Sequence, residues 1–171
     1  MKPYNGFSEK QRLKAFDILK YLRDQGKISW ADKQCEMCSC TDGMIMAHSE
    51  NYFDWLNFKI VCVECHMKIH GRFKAYGSWI EYLIQIRNGY SSKGYKNVIS
   101  YFGTRDNRMY FVQKEPQPFA PRPNCWWENL LDYQPNIFQQ EIDKGNYSET
   151  FIEESWKEMR KEQRKLNADK P

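Results

Sequence analysis

CEMCSCTDGMIMAHSENYFDWLNFKIVCVECHMKIH, from Cys35 to His70, decides how the rest of the chain is read. Cys35 and Cys38 form one Cys-x-x-Cys pair, and Cys62 and Cys65 form a second. Two such pairs put four thiolates around one tetrahedral Zn²⁺, and a site closed by four protein ligands is structural. All three histidines of the chain, His48, His66 and His70, lie inside the same stretch. A zinc that already has four sulfurs does not need them, which frees them for a second role. Three alternatives stay open here. Cys40 competes with Cys38 as a ligand, His66 fits a Cys₃His site, and His48 fits a core histidine satisfied by a buried hydrogen bond. Cys40 and Cys125 are otherwise expected to pack as small buried hydrophobes.

Outward from the cysteines, residues 44–47 read as a short strand and 58–61 as its partner. A helix starting near the second pair carries His66 and His70 on one face, because residues four apart are neighbours on a helix surface. An N-terminal helix is expected over about residues 8–24. Ser8 and Gln11 form a capping box, Leu13, Phe16, Leu19 and Leu22 an apolar face, and Gly26 a terminator. After the cysteines, Ser78 and Glu81 suggest the cap of another helix carrying Ile80, Leu83, Ile84 and Arg87 and ending before Gly89. Residues 97–102 read as a short helix and 109–112 as a strand. Pro116, Pro118, Pro121 and Pro123 make an extended connector. Cys125, Trp126, Trp127, Leu130 and Leu131 then read as a hydrophobic anchor. A last helix is expected over about residues 150–166, capped by Thr150 and Glu153, with Arg160, Lys161, Arg164 and Lys165 near its C-terminal end.

The expected class is α+β, in three segments: residues 1–30, N-terminal and helical; 31–88, the zinc-braced module; and 89–171, a basic aromatic segment, the Pro-rich connector and a C-terminal helix packing on the module. At 171 residues the chain is long enough to bury a core, so cysteines are not needed as disulfide staples. It has no apolar run of membrane length, and MKPYNGFSEKQRLK at its start lacks an apolar signal core. These readings favour a reducing cytoplasm, where paired cysteines are more often metal ligands than disulfides. The net charge of +4 is unevenly spread: residues 88–114 hold five basic side chains against one acidic, while residues 115–171 hold eight against eleven. The basic segment, with Lys93, Lys96, Arg105 and Arg108, together with Arg72 and Lys74, is the candidate surface for nucleic-acid phosphates. Tyr90, Tyr95, Tyr101, Phe102, Tyr110 and Phe111 interleave with it. Packing is their commoner use, base stacking the alternative.

The stretch from Cys35 to His70 resembles the HNH endonuclease family, the ββα-metal nucleases, and most closely a variety found in phage and prophage proteins. That variety runs CxxCG, then AHHxDYxxPLxVxWLCxxCHxxxH. Residues 47–70 align with it without a gap. His48 falls on its first histidine, Tyr52 on its tyrosine, Leu56 on its leucine and Cys62 and Cys65 on its second pair. His66 and His70 fall on its last two histidines, and Asn57 on the central asparagine of the name. The resemblance covers about a fifth of the chain.

It implies a zinc-braced hairpin and helix, with a structural Zn²⁺ at Cys35, Cys38, Cys62 and Cys65. A second divalent ion, Mg²⁺, Mn²⁺, Ni²⁺ or Zn²⁺, would be held by His48, His66 and His70. In the family that ion neutralises the scissile phosphate and the leaving oxygen. A histidine directly after the first ligand acts as general base, and the central asparagine pins the hairpin loop. Here the base position is Ser49, with Asn51 in place of the family aspartate and Trp55 in place of the proline. Three readings follow. The base role has moved to Glu50 or Tyr52, or to the ion's own activation of water; or His48 is the base and a carboxylate replaces it as ligand; or the site is degenerate. The expected activity is metal-dependent hydrolysis of phosphodiester bonds, with DNA favoured as partner. The alternative is a non-catalytic zinc protein of phage type, in the host cytoplasm, that binds nucleic acid or a host protein through anchors such as Trp126, Trp127 and Trp156.

Overall fold

In a computed structural model, residues 2–30, 32–97, 99, 119–130, 138–139, 143–144 and 149–168 are described. The expected helix at 97–102 and strand at 109–112, with Arg105 and Arg108, fall largely or wholly outside them. The described residues form a mixed α+β fold: α1 (Glu9–Asp24), β1 (Ile45–His48), β2 (Lys59–Cys62), α2 (Val63–Gly71), α3 (Tyr76–Arg87) and α4 (Glu149–Ala168). None of these helices is long and apolar enough to cross a membrane. The chain divides into two units, each discontinuous in sequence. One holds residues 1–29, 49–58 and 135–171; the other holds 30–48 and 59–134.

In the first unit α1 begins where the capping box requires. Ser8 Oγ accepts from the Gln11 amide, and the Ser8 amide donates to Gln11 Oε1 at 2.7 Å. Gln25 caps its C-terminal end, and Gly26, at φ +69°, makes the left-handed exit. The buried face differs from the expected one. Leu13 and Phe16 are 42% and 50% exposed, while Arg12, Lys14, Ala15, Ile18, Leu19 and Tyr21 are buried. α4 packs along α1 and covers Lys14 and Tyr21, while Arg12 is covered by Tyr4 and Tyr52. Lys14 pairs with Glu153, Tyr21 donates to Glu162 at 2.8 Å, and Trp156 Nε1 donates to Asp17 at 3.4 Å. The aliphatic stem of Lys14 is therefore covered while its charge is met. Thr150 lies inside α4.

A two-residue turn precedes α1. Tyr4 and Phe7 exchange backbone hydrogen bonds at 3.1 and 2.9 Å around Asn5 and Gly6, both at positive φ (52° and 89°). Phe7 is wholly buried and meets Tyr52, Phe53 and Phe138 at ring separations of 4.9–5.3 Å. A buried phenylalanine of this kind contributes about 2 kcal/mol.

The second unit is built on the hairpin. β1 and β2 are antiparallel, with Ile45 opposite Cys62 and His48 opposite Lys59, each strand one residue later than expected. α2 follows β2 directly and buries Val63, Cys65 and Ile69. α3 buries Trp79, Ile80, Tyr82, Leu83 and Ile86. Ser78 is not its cap: the helix starts at Tyr76 with Ala75 at the N-cap, because the Lys74 and Ala75 amides bond back to the Gly71 carbonyl and bring the chain in a turn earlier. The described end of the connector, residues 119–130, is irregular. It is fastened by Glu128, whose fully buried carboxylate accepts from Arg87 at 2.7 and 2.8 Å and from Arg122 Nε at 2.9 Å. Trp79 Nε1 donates to the Leu130 carbonyl at 3.0 Å. Gly43, at φ +76°, sits so close to the backbone of Gly94 and Tyr95 that a side chain there would collide with both.

Candidate metal centres

The first Cys-x-x-Cys pair lies on a tight loop. The Ser39 amide bonds to the Cys35 carbonyl and the Cys35 amide to the Cys40 carbonyl, both at 2.9 Å, with Ser39 at φ +59°. The second pair spans the junction of β2 and α2, Cys62 ending the strand and Cys65 lying in the first helical turn. The four sulfurs converge within 4.8 Å of one another, and all four residues are buried. Cys38 Sγ lies 3.7 Å from Cys62 Sγ. Tetrahedral zinc with Zn–S bonds of about 2.3 Å requires an S···S edge of about 3.8 Å, so the donor set fits that ion. The sulfurs share protons unequally. Cys35 is driven well below the ordinary thiol value, first by its hydrogen bond with Cys38 and then by those with Cys62 and Cys65. Cys38 stands at about 7, raised by Cys35 and lowered by Cys62 and Cys65. Cys62 and Cys65 are raised, first by their hydrogen bonds with Cys35, whereas a bound zinc requires all four as thiolates.

Cys40 is outside this cluster. Its thiol donates to the Asp42 carbonyl at 3.2 Å, and burial raises its pKa. The Cys65 sulfur has a neighbour the sequence reading did not find: the Tyr82 hydroxyl, 3.2 Å away. Burial, and next the charge at Cys65, push the Tyr82 phenol far up, and either group of the pair can donate.

The histidines form a second cluster, with one nitrogen from each of His48, His66 and His70 within 4.8 Å of the others. His48 ends β1, while His66 and His70 stand one helical turn apart on α2. His66 Nε2 and His70 Nε2 are 3.1 Å apart. Two imidazoles on one ion at about 2.1 Å would be about 3.0 Å apart in octahedral and about 3.4 Å apart in tetrahedral geometry, so the spacing suits a shared divalent cation. His66 thus belongs with the histidines rather than with the sulfurs. His48 is 1% exposed, and His66 and His70 are half-buried, so the cluster is more open on the α2 side.

The other candidates are scattered. Ser49 is 5% exposed. Glu50 accepts from Tyr4 on Oε1 and from Asn5 on Oε2, at 2.6 Å each. Arg12 Nη2 donates to the Tyr52 hydroxyl at 3.0 Å, and burial raises that phenol's pKa, which disfavours it as a base near neutrality. Asn57 is exposed, and its amide closes a turn on the Asp54 carbonyl at 3.0 Å. Arg72 must be corrected as a phosphate contact. It is 2% exposed, its Nη1 donates to the Ile69 carbonyl at 2.8 Å, and its guanidinium lies over Phe73. Lys74, Lys93 and Lys96 are exposed, and Arg105 and Arg108 lie outside the described residues. Tyr90 donates to Glu64 at 2.8 Å and meets Tyr82 edge-on.

Sequence reasoning missed Tyr4 and Asn5 as the partners of Glu50, and Glu36 and Trp126 as neighbours of the cysteine and histidine clusters. Asn5-Gly6 carried a turn signal; Glu36 between two ligands and Trp126 far downstream carried none. Compared with known proteins, the chain matches no family model, no curated protein and no solved structure.

Proposed function

We propose that this protein is a metal-dependent HNH-type endonuclease that hydrolyses phosphodiester bonds, with DNA as the favoured substrate. The observation that carries the reading is the convergence of His48, His66 and His70 on a strand–strand–helix frame beside a separate four-cysteine cluster. In this reading Cys35, Cys38, Cys62 and Cys65 hold a structural Zn²⁺, and the three imidazoles hold a second divalent ion. That ion supplies charge neutralisation at the scissile phosphate and the leaving oxygen. The protein's own part is to hold three nitrogen donors in place and leave the α2 side open for a phosphate. Lys74, Lys93 and Lys96 are exposed cations available to neighbouring phosphates.

A second reading, a degenerate scaffold that binds nucleic acid or a host protein without cutting, is favoured by the base position. Ser49 has no imidazole, Glu50 is occupied by Tyr4 and Asn5, and the Tyr52 phenol is raised. A missing general base costs about 10²–10⁴-fold in rate. Nicking of supercoiled plasmid in Mg²⁺, Mn²⁺, Ni²⁺ or Zn²⁺, with His70→Ala as control, separates the two. The nuclease reading expects slow nicking that His70→Ala abolishes; no nicking in any metal, with nucleic-acid or protein binding retained, supports the second reading.

A further inference from the structure

We propose that Trp126 is a positioning residue for His48: its indole stacks on the imidazole, fixes the ring plane and stabilises the ring when it carries an ion. The proposal rests on the reading of His48, His66 and His70 as one metal centre.

The indole and imidazole planes are 18° apart, with centroids at 6.2 Å. His66 and His70 meet the same imidazole steeply, at 73° and 79°. The nitrogen lone pairs of an imidazole lie in its ring plane. A partner on the ring face therefore restrains rotation without competing for a ligand position. An imidazole that donates to a divalent ion also gains positive character, and the face of an indole attracts cations. Lys59, opposite His48 in the hairpin, already places its ammonium 6.0 Å from the same indole.

Trp126 is itself held. Its Nε1 donates to Glu36 Oε2 at 2.9 Å. The other oxygen of Glu36 accepts from the Ile60 amide at 2.7 Å, and the Glu36 amide donates to the Ile60 carbonyl at 2.9 Å. Ile60 pairs with Ala47, the residue before His48, and Glu36 lies between Cys35 and Cys38 in the chain. The indole is thus tied to the loop that carries the sulfurs and to the strand that carries the imidazole. Trp127 packs edge-on against it, and Glu128 fastens the segment to Arg87.

The test uses full-length, zinc-loaded protein and calorimetric titration with Ni²⁺. Trp126→Leu keeps apolar bulk but has no aromatic face, whereas Trp126→Phe keeps the face and loses the hydrogen bond to Glu36. We expect Trp126→Leu to bind Ni²⁺ about tenfold more weakly than the parent and Trp126→Phe to recover most of that loss, with about one zinc per chain throughout. Equal Ni²⁺ affinity in Trp126→Leu and Trp126→Phe would overturn the proposal while leaving the metal centre standing, provided His70→Ala has lost Ni²⁺ binding. A His70→Ala variant that binds Ni²⁺ like the parent would overturn the metal centre, and the role of Trp126 with it.

Discussion

Cys65 and His66 are adjacent in the first turns of α2, yet they serve different clusters: the Cys65 sulfur joins three other sulfurs, and His66 Nε2 meets His70 Nε2 at 3.1 Å. A helix turns by about 100° per residue, so neighbours point to different sides. One helix start therefore aims at two sites, and whatever fixes the sulfurs also fixes His66. If the four sulfurs hold the proposed zinc, removing it, by Cys65→Ser or by a strong chelator, should abolish Ni²⁺ binding at the histidines. The converse variant, His70→Ala, should keep one zinc per chain. Elemental analysis of both, with Ni²⁺ titration, checks this asymmetry; a Cys65→Ser protein that still binds Ni²⁺ like the parent would refute it.

Tyr82 should matter through its hydroxyl alone. Tyr82→Phe keeps the ring and removes the hydroxyl that lies 3.2 Å from the Cys65 sulfur. Loss of such a supporting hydrogen bond typically weakens a metal site 10–100-fold. Competition with a zinc chelator should show the variant releasing zinc at lower chelator concentration, with little change in secondary structure.

Glu128 should set an acid limit on the stability of the second unit. Its hydrogen bonds from Arg87, and then from Arg122, lower its pKa from 4.5 to about 2. A carboxylate lowered on folding stabilises the fold above its unfolded value, and that contribution is lost as pH falls from about 4.5 toward 2. Glu128→Gln should cost about 2 kcal/mol at neutral pH and should flatten the stability profile in that acid window. Denaturant titrations of parent and variant from pH 6 downward measure it.

Lys74, Lys93 and Lys96 should contribute to nucleic-acid affinity through charge. Replacing all three with Gln should weaken binding to duplex DNA and make its dependence on salt shallower, by about 0.9 in log–log slope for each phosphate that is no longer neutralised. Binding that does not change with salt in the parent would point instead to a protein partner.

If the proposed nuclease reading holds, Ser49 is the position that separates a working site from a degenerate one. Ser49→His restores an imidazole suited to proton abstraction near neutrality. If a base is all that is missing, plasmid nicking should rise by about 10²-fold or more. An active parent with no gain would assign the base role elsewhere, with Glu50 next to be tested by Glu50→Gln.

The two clusters were legible because candidate-ligand chemistry fixes residue type and spacing: Cys35, Cys38, Cys62 and Cys65, and the i, i+4 pair His66 and His70, announce themselves. The start of α1 was legible for the same local reason, since Ser8 and Gln11 satisfy each other. What failed depends on neighbours distant in sequence. Leu13 and Phe16 look like a core face until α4 covers Lys14, and Tyr4 and Tyr52 cover Arg12, instead. Ser78 and Thr150 are plausible caps by residue type, but the helices begin earlier. Arg72 reads as a surface cation and is instead folded onto Ile69 and Phe73. Trp126 stands 78 positions beyond His48 in the sequence, with no periodicity linking them.

The account's central claim is that one chain carries two metal centres of opposite character, one closed by four sulfurs and one left open by three imidazoles. Anomalous diffraction at the zinc and nickel edges, from crystals of zinc-loaded protein soaked in Ni²⁺, tests it most directly. The account predicts a zinc peak among Cys35, Cys38, Cys62 and Cys65 and a separate nickel peak at His48, His66 and His70. A single ion shared between sulfurs and imidazoles, or a nickel site from which His48 points away, would contradict it.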